Sequence, residues 1–228
     1  LMISYQGFTN SGGAPQGRTG SPASNGNTCA TGCHSGGTAA SQSISISSTI
    51  PASGYQANTN YTITVTANNG TTSSSTIGFQ ASVEDAAGHV GSISFPGPGA
   101  QVSGSYVTHT ISGTSASGGS RSWTFNWNPG ANPPASATVY VAANFANGTG
   151  GTAGDYILTQ SQAFNQAVSV PSYTISQINS LDATFSPDSL GVNCALTGVV
   201  FTDDFDGNAG YSFYMYDNTG EINVFDFV

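Results

Sequence analysis

Residues 29–34 read Cys-Ala-Thr-Gly-Cys-His. Two thiols can add to two vinyl groups, and an imidazole directly after the second thiol is then placed to ligate a metal. A cysteine pair followed at once by histidine is the arrangement that attaches a c-type haem. The usual spacing leaves two residues between the cysteines, whereas three stand here, Ala30, Thr31 and Gly32. The extra residue demands a wider loop, and Gly32 is the residue type that allows one. This reading makes Cys29 and Cys33 the thioether anchors of one covalent haem c per chain and His34 an iron ligand. Two other chemistries draw on the same residues. Cys29 and Cys33 can form a disulfide, or either can pair with Cys194, although three cysteines leave one thiol over. A zinc site can be assembled on paper from Cys29, Cys33, His34 and Cys194. Haem attachment instead leaves Cys194 as a small buried apolar side chain.

A second axial ligand is sought among few residues. His109 lies between Val107 and Ile111 on one side of an alternating stretch. That side is expected to face inward, where an unpaired imidazole is costly and iron is a good partner. His89 follows Asp85-Ala86-Ala87-Gly88, which reads as a turn, so it is expected to be exposed and is the reserve. Met215 shares a strand face with Tyr211 and Phe213 and reads as core; Met2 lies near the chain start. Arg18, just upstream of the motif, is placed to pair with a haem propionate or to stack on an aromatic ring. Iron held by His34 and His109 is saturated, which suits electron transfer or a structural cross-link rather than oxygen binding.

Other polar groups suggest little chemistry. Asp203, Asp204, Asp206, Gly207 and Asn208 lack the calcium-loop spacing and read as an acidic hairpin tip. Glu84 and Asp85 are expected to face opposite sides of a strand, and no Ser-His-Asp order stands out. No enzyme is expected.

The elements that must position the motif are strands. Period-two alternation dominates, bounded by Gly, Pro and Asn. Tyr61, Ile63, Val65 and Ala67 alternate with three threonines and lead into Asn69-Gly70, a hairpin-type turn. Further strands are predicted over 76–84, 90–95, 105–112, 122–127, 136–145 and 155–160. Trp123, Phe125 and Trp127 share one face; Val139, Val141, Ala143 and Phe145 share another. Short strands with Gly-rich turns predict an immunoglobulin-like β-sandwich over residues 1–165.

The order of pieces also resembles a known family. Residues 12–35, with Gly-Gly-Ala-Pro-Gln-Gly-Arg-Thr-Gly-Ser-Pro ahead of the Cys-His motif, look like the opening of the bacterial choice-of-anchor V domain, a Reeler-like sandwich. Gly78-Phe79-Gln80, Tyr106-Val107-Thr108-His109-Thr110, Trp123-Thr124-Phe125-Asn126-Trp127, Val139-Tyr140-Val141-Ala142-Ala143-Asn144, Asn147-Gly148 and Gly154-Asp155-Tyr156 follow in order. The resemblance covers about residues 5–160 and implies a Reeler-like fold in an exported protein, chiefly of Bacteroidota-like bacteria. In that family the motif is usually Cys-x-x-Cys-His, from which this chain departs.

Residues 171–228 differ in texture, with eight of the eleven acids and no basic residue. The runs from Tyr173 to Ile178, Asp188 to Val192, Leu196 to Val200 and Tyr211 to Phe225 are similar to the first strands of an OB-like domain of exported Bacteroidota proteins. They amount to roughly three strands, fewer than a five-strand barrel. The fold class expected is therefore all-β, a Reeler-like sandwich followed by a small, incomplete OB-like domain. Such a piece exposes edges, so its missing strands are expected from further residues, from the first domain or from another copy. Leu1–Tyr5 and Ile222–Val228 are the apolar segments that read as donated strands.

Composition narrows the partners. Of 228 residues only 6% are charged; Arg18 and Arg121 are the sole fixed cations, and the net charge is −9. No nucleic acid partner is expected, because phosphate binding needs clustered Lys and Arg. The same charge argues against anionic membrane surfaces, and no apolar run is long enough to span a bilayer as a helix. No signal peptide is visible; an exported, extracellular or cell-surface chain whose signal has been removed is expected. The neutral, hydroxyl-rich surface suits packing against identical copies. Two functions follow. One is electron transfer with an unidentified donor and acceptor in a self-associating monohaem protein. The other is a structural or adhesive filament or matrix subunit in which haem, or a disulfide at the same motif, only staples the loop.

Overall fold

A strand whose side chains alternate apolar and hydroxyl buries one face and leaves the other in water, and Tyr61–Asn68 does this. The computed structural model describes residues 10–72, 75–116, 118–207 and 210–226. Leu1–Tyr5, Met2, Asn208, Phe227 and Val228, which carry some of the sequence expectations, lie outside the described residues. The chain divides into two compact units, Leu1–Ala167 and Val168–Val228. In the first, the strands are β1 (Ser35–Gly36), β2 (Ser43–Ser48), β3 (Tyr61–Asn68), β4 (Thr76–Asp85), β5 (Gly88–His89), β6 (Ser92–Ser94), β7 (Ala100–Ser103), β8 (Tyr106–His109), β9 (Ser120–Asn128), β10 (Ser136–Ala146) and β11 (Ala153–Asn165).

They form a sandwich. One sheet has the order β2-β3-β9-β6; the other runs β1-β11-β10-β4-β8-β7, with β5 added to β4. The core lies between them, with Ile63, Val65, Trp123, Phe125 and Trp127 facing Ile77, Phe79, Ala81, Val139 and Val141. Phe79 stacks on Trp123 across the two sheets at 4.2 Å between ring centroids. Both tryptophan N–H groups find partners, Trp123 Nε1 at the Gly113 carbonyl and Trp127 Nε1 at the Val90 carbonyl, each 2.9 Å away.

β4 departs from simple alternation in burial. Ile77, Phe79, Ala81 and Val83 face the core, yet the intervening Gly78, Gln80, Ser82 and Glu84 are buried as well. The segment ahead of β1 covers that second face. Its backbone is held by Gln80, whose Nε2 donates to the carbonyls of Pro15 (2.8 Å) and Ala14 (3.2 Å) and whose Oε1 accepts from the Arg18 N–H (2.6 Å). Thr108 Oγ1 accepts from Ala14, and Glu84 Oε2 accepts from Ala23. Buried hydroxyls of Thr19, Ser21 and Ser24 bond one another.

Several strands differ from their predicted bounds. The 105–112 strand ends at His109, and Ile111–Gly113 forms a 3-10 turn that leaves Ile111 exposed. Gly113 packs so closely on the Gly99 backbone that any side chain there would collide with it, which turns the chain off the sheet. The 90–95 strand is shortened to β6, which pairs with β9 beyond the left-handed Gly91, while Gly88–His89 just ahead of it forms β5 on β4. β2 is an additional edge strand built on Ile44 and Ile46.

The second unit contains β12 (Ser172–Tyr173) paired with β13 (Ala195–Leu196), and a three-stranded antiparallel sheet of β14 (Val199–Val200), β15 (Tyr211–Asp217) and β16 (Gly220–Asp226). Ile175–Ile178, inside a run expected as strand, is instead one helical turn, α1. Thr174 and Gln177 form a reciprocal capping box, which favours helix entry over extension. The Asp217 carboxylate accepts the Ile175 N–H at 2.9 Å and also bonds Thr219 and Gly220. Those bonds, the Thr219 hydroxyl first, lower its pKa to about 2. Phe213 and Met215 lie on one face of β15 as expected from alternation, but they are only half-buried.

Candidate functional site

The Cys-His loop is closed by two backbone bonds, Thr31 N–H to the Thr28 carbonyl and His34 N–H to the Cys29 carbonyl, both 3.0 Å. The second spans five residues, wider than an α-helical turn. Gly32 takes a left-handed φ of 74° with nothing near its missing side chain. The additional residue is absorbed there. Directly after the motif, β1 pairs in parallel with the start of β11, Ser35 opposite Ala153 and Gly36 opposite Asp155. That pairing brings His34 to Asp155.

His34 Nδ1 lies 2.7 Å from Asp155 Oδ2. Asp155 is almost wholly buried, and its other oxygen accepts the Asn147 N–H at 2.9 Å. Asn144 Nδ2 lies 3.4 Å from the same Oδ2 and 3.1 Å from His34 Nδ1. Because Nδ1 must carry the proton to bond a carboxylate, Nε2 is the nitrogen left for coordination.

His109 reaches the same place from the opposite side. Its ring lies against Gly78: a Cβ on that glycine would stand 2.9 Å from Cε1 and 3.2 Å from Nδ1. Nδ1 is 3.0 Å from both the N–H and the carbonyl of Phe79, so that backbone satisfies either tautomer. Nε2 is 3.2 Å from the Asn10 carbonyl. Burial lowers the His109 pKa, with the two backbone bonds opposing and the charge of His34 contributing.

Gly78 and Asn144 are register partners on adjacent strands, β4 and β10. Strands so paired run about 4.8 Å apart. The two imidazoles therefore approach the Gly78–Asn144 pair from its two flanks, His109 from β8 and His34 from the β11 edge. Between them is a cleft of about 240 Å³, lined by Arg18, Cys29, Cys33, His34, His109 and Asn144 among others. Gly148, Gly150 and Gly151 contribute no side chains to its rim.

All five residues singled out in the sequence, Arg18, Cys29, Cys33, His34 and His109, thus border one cleft. Cys29 is half-buried and Cys33 exposed; both are free thiols. Burial pushes the Cys29 thiol up to about 11, its own backbone bond and Arg18 opposing and Cys33 adding. His89 lies elsewhere, edge-on to Tyr106 and 3.8 Å from Glu84 Oε1. Cys194 belongs to the second unit and is half-buried rather than buried, since that unit has little interior. Among the described residues no group of three or more His, Cys, Asp or Glu side chains is arranged to hold a metal ion.

No protein-family model matches this sequence, and no curated protein matches it. Among solved structures, two fragments of the human F-spondin reeler domain are similar to it. One aligns with a TM-score of 0.38 and 14% identity over 60% of this chain and 95% of that chain. The other aligns with a TM-score of 0.35 and 13% identity over 57% and 95% respectively. No helix among the described residues is long and apolar enough to cross a membrane.

Sequence reasoning missed Asp155, Asn144 and Gly78 as parts of the site, and Gln80 as the clamp on the segment that carries Arg18. The available signal was polar or absent side chains at strand positions between apolar neighbours. Which of them lie under the covering segment is decided by strand order, which local pattern does not carry.

Proposed function

We propose that the chain is an exported, monohaem c-type cytochrome-like protein acting in electron transfer, with its haem in the cleft between His34 and His109. One observation supports this above others: Arg18, Cys29, Cys33, His34 and His109 line one cleft, with His109 against Gly78 and His34 beside Asn144, its register partner. The residues fit the group. Two free thiols border the cleft, Nδ1 of His34 is committed to a carboxylate, and Nδ1 of His109 has a carbonyl to receive its proton. Bound there, the haem supplies a one-electron couple. Cys29 and Cys33 would anchor it by thioether bonds, and His34 and His109 would hold the iron. To hold the iron, His109 would have to give up the bond between its Nε2 and the Asn10 carbonyl. Arg18, which lines the same cleft, would be the partner for a propionate. Were both histidines to hold the iron, electron exchange rather than ligand activation would be favoured. A charge-poor, hydroxyl-rich surface and the extracytoplasmic chemistry of covalent haem attachment support an extracellular location.

The test is an absorption spectrum of protein made in a host that attaches haem, oxidised and then dithionite-reduced, with an alkaline pyridine haemochrome. Sharp c-type α and β bands are expected, and no covalently held haem when Cys29 and Cys33 are both replaced by Ala. A featureless spectrum overturns the reading.

A second reading, self-association as a structural or adhesive subunit, is supported by the second unit. Phe201, Phe205, Tyr214, Tyr216 and Phe225 are exposed there, and Ile175 is the single fully buried apolar side chain among its described residues. Sedimentation at micromolar concentration tests it; a stable monomer counts against it.

A further inference from the structure

The proximal side of the cleft is more elaborate than attachment requires. His34 could be oriented by any carbonyl, yet its partner is a carboxylate, and one removed from solvent: the Asp155 side chain is 1% exposed. Every polar contact of that carboxylate comes from a donor. His34 Nδ1 is at 2.7 Å and Asn144 Nδ2 at 3.4 Å on Oδ2, with the Asn147 N–H at 2.9 Å on Oδ1. Asn144 is itself nine-tenths buried, lines the cleft, and has an Oδ1 with no hydrogen-bond partner. The described residues hold no fixed cation paired with Asp155. Its negative charge is therefore shared outward through one short bond, to His34.

Resting on the electron-transfer reading, we propose that Asp155 is a positioning residue that sets the cofactor's reduction potential through His34. A buried carboxylate accepting the Nδ1 proton gives the imidazole anionic character and makes Nε2 a stronger donor. It also places a full negative charge behind the ligand, in surroundings that screen it weakly. Both effects favour ferric over ferrous iron. The couple involved is Fe(III) plus one electron to Fe(II); no bond breaks, and the Nδ1 proton stays between His34 and Asp155. The physiological partner class follows: the donor must be a strongly reducing one-electron carrier. Asn144 helps by orienting the same oxygen, and its free Oδ1 offers an acceptor to a donor in the cleft.

The test is a spectroelectrochemical titration of the haem-loaded protein, wild type against Asp155→Asn, using dithionite and mediators. Asn keeps the shape and an acceptor for Nδ1 but removes the charge. The expected result is a reduction equilibrium at least about tenfold more favourable in the variant, an upward shift of about 59 mV or more for one electron. An unchanged midpoint in a loaded, folded variant overturns the inference, because a purely structural role would not move a potential. Should Asp155→Asn fail to fold, ¹⁵N shifts of His34 in the wild-type protein decide. A proton on Nδ1 with Nε2 bare is expected, and the opposite tautomer refutes the proposal. Wild-type protein that takes up no haem overturns the electron-transfer reading instead, which separates the two failures.

Discussion

Gln80 holds the covering segment to the sandwich, and its replacement by leucine isolates that role. Leu is apolar and of similar size, so the change removes three hydrogen bonds and little volume. The side chain is fully buried, and it bonds the backbone of Ala14, Pro15 and Arg18 at 3.2, 2.8 and 2.6 Å. A typical internal hydrogen bond contributes about 1 kcal/mol net. Three would total about 3 kcal/mol, but the freed carbonyls sit on a partly exposed segment and water can reach them. A loss of about 2 kcal/mol is therefore expected. With a urea dependence of about 2 kcal/mol/M, the unfolding midpoint of the first unit falls by about 1 M. Amide exchange should accelerate over residues 14–34 while β3 and β9 stay protected. A shift below about 0.2 M, or uniform loss of protection, would refute the idea that Gln80 clamps this segment.

Three further outcomes follow from named contacts. In haem-free protein at pH 8, iodoacetamide should modify exposed Cys33 well before Cys29. A thiol raised from 9.0 to about 11 has about a hundredfold less thiolate than an ordinary one; equal rates would contradict the burial of Cys29. Gly78→Ala should destabilise by about 1–3 kcal/mol, since its methyl would stand 2.9 Å from a ring held by Phe79 and Asn10. It should also move the His109 ring resonances; a neutral effect on thermal unfolding would mean the ring has room to yield. For Asp217 the folded pKa is depressed, so its contribution is complete above the ordinary 3.8 and disappears as pH falls through about 2. The amide shifts of Ile175 and Gly220 should titrate with a midpoint near 2, and a midpoint near 3.8 would show that these bonds do not favour the carboxylate.

Much of the sandwich is legible from alternation, because a sheet with one wet face writes its burial into the sequence. Tyr61–Asn68 and the Trp123, Phe125, Trp127 face are of this kind. β4 shows where the pattern stops being informative. Its polar positions look solvent-facing, yet Gln80, Ser82 and Glu84 lie beneath a separate segment that supplies their partners. The 105–112 run reads as one strand through Ile111, but close packing of Gly113 on Gly99 ends it at His109. In the site, residue type marked the cysteines and histidines. Asp155 was invisible in that role because its pairing with His34 depends on β1 adding beside β11, more than a hundred residues later in the chain. In the second unit, alternation over Tyr211–Asp217 is real but does not produce an interior, since few other elements there supply apolar side chains to cover it.

The most direct test of haem held at Cys29 and Cys33 is mass analysis of the peptide carrying residues 29–34, from protein made in a host that attaches haem. The expected product is one peptide bearing a single haem through both cysteines, and through the one remaining cysteine in Cys29→Ala or Cys33→Ala. A peptide with two free thiols, or one closed by a Cys29–Cys33 disulfide, would contradict covalent haem and leave the loop a structural one.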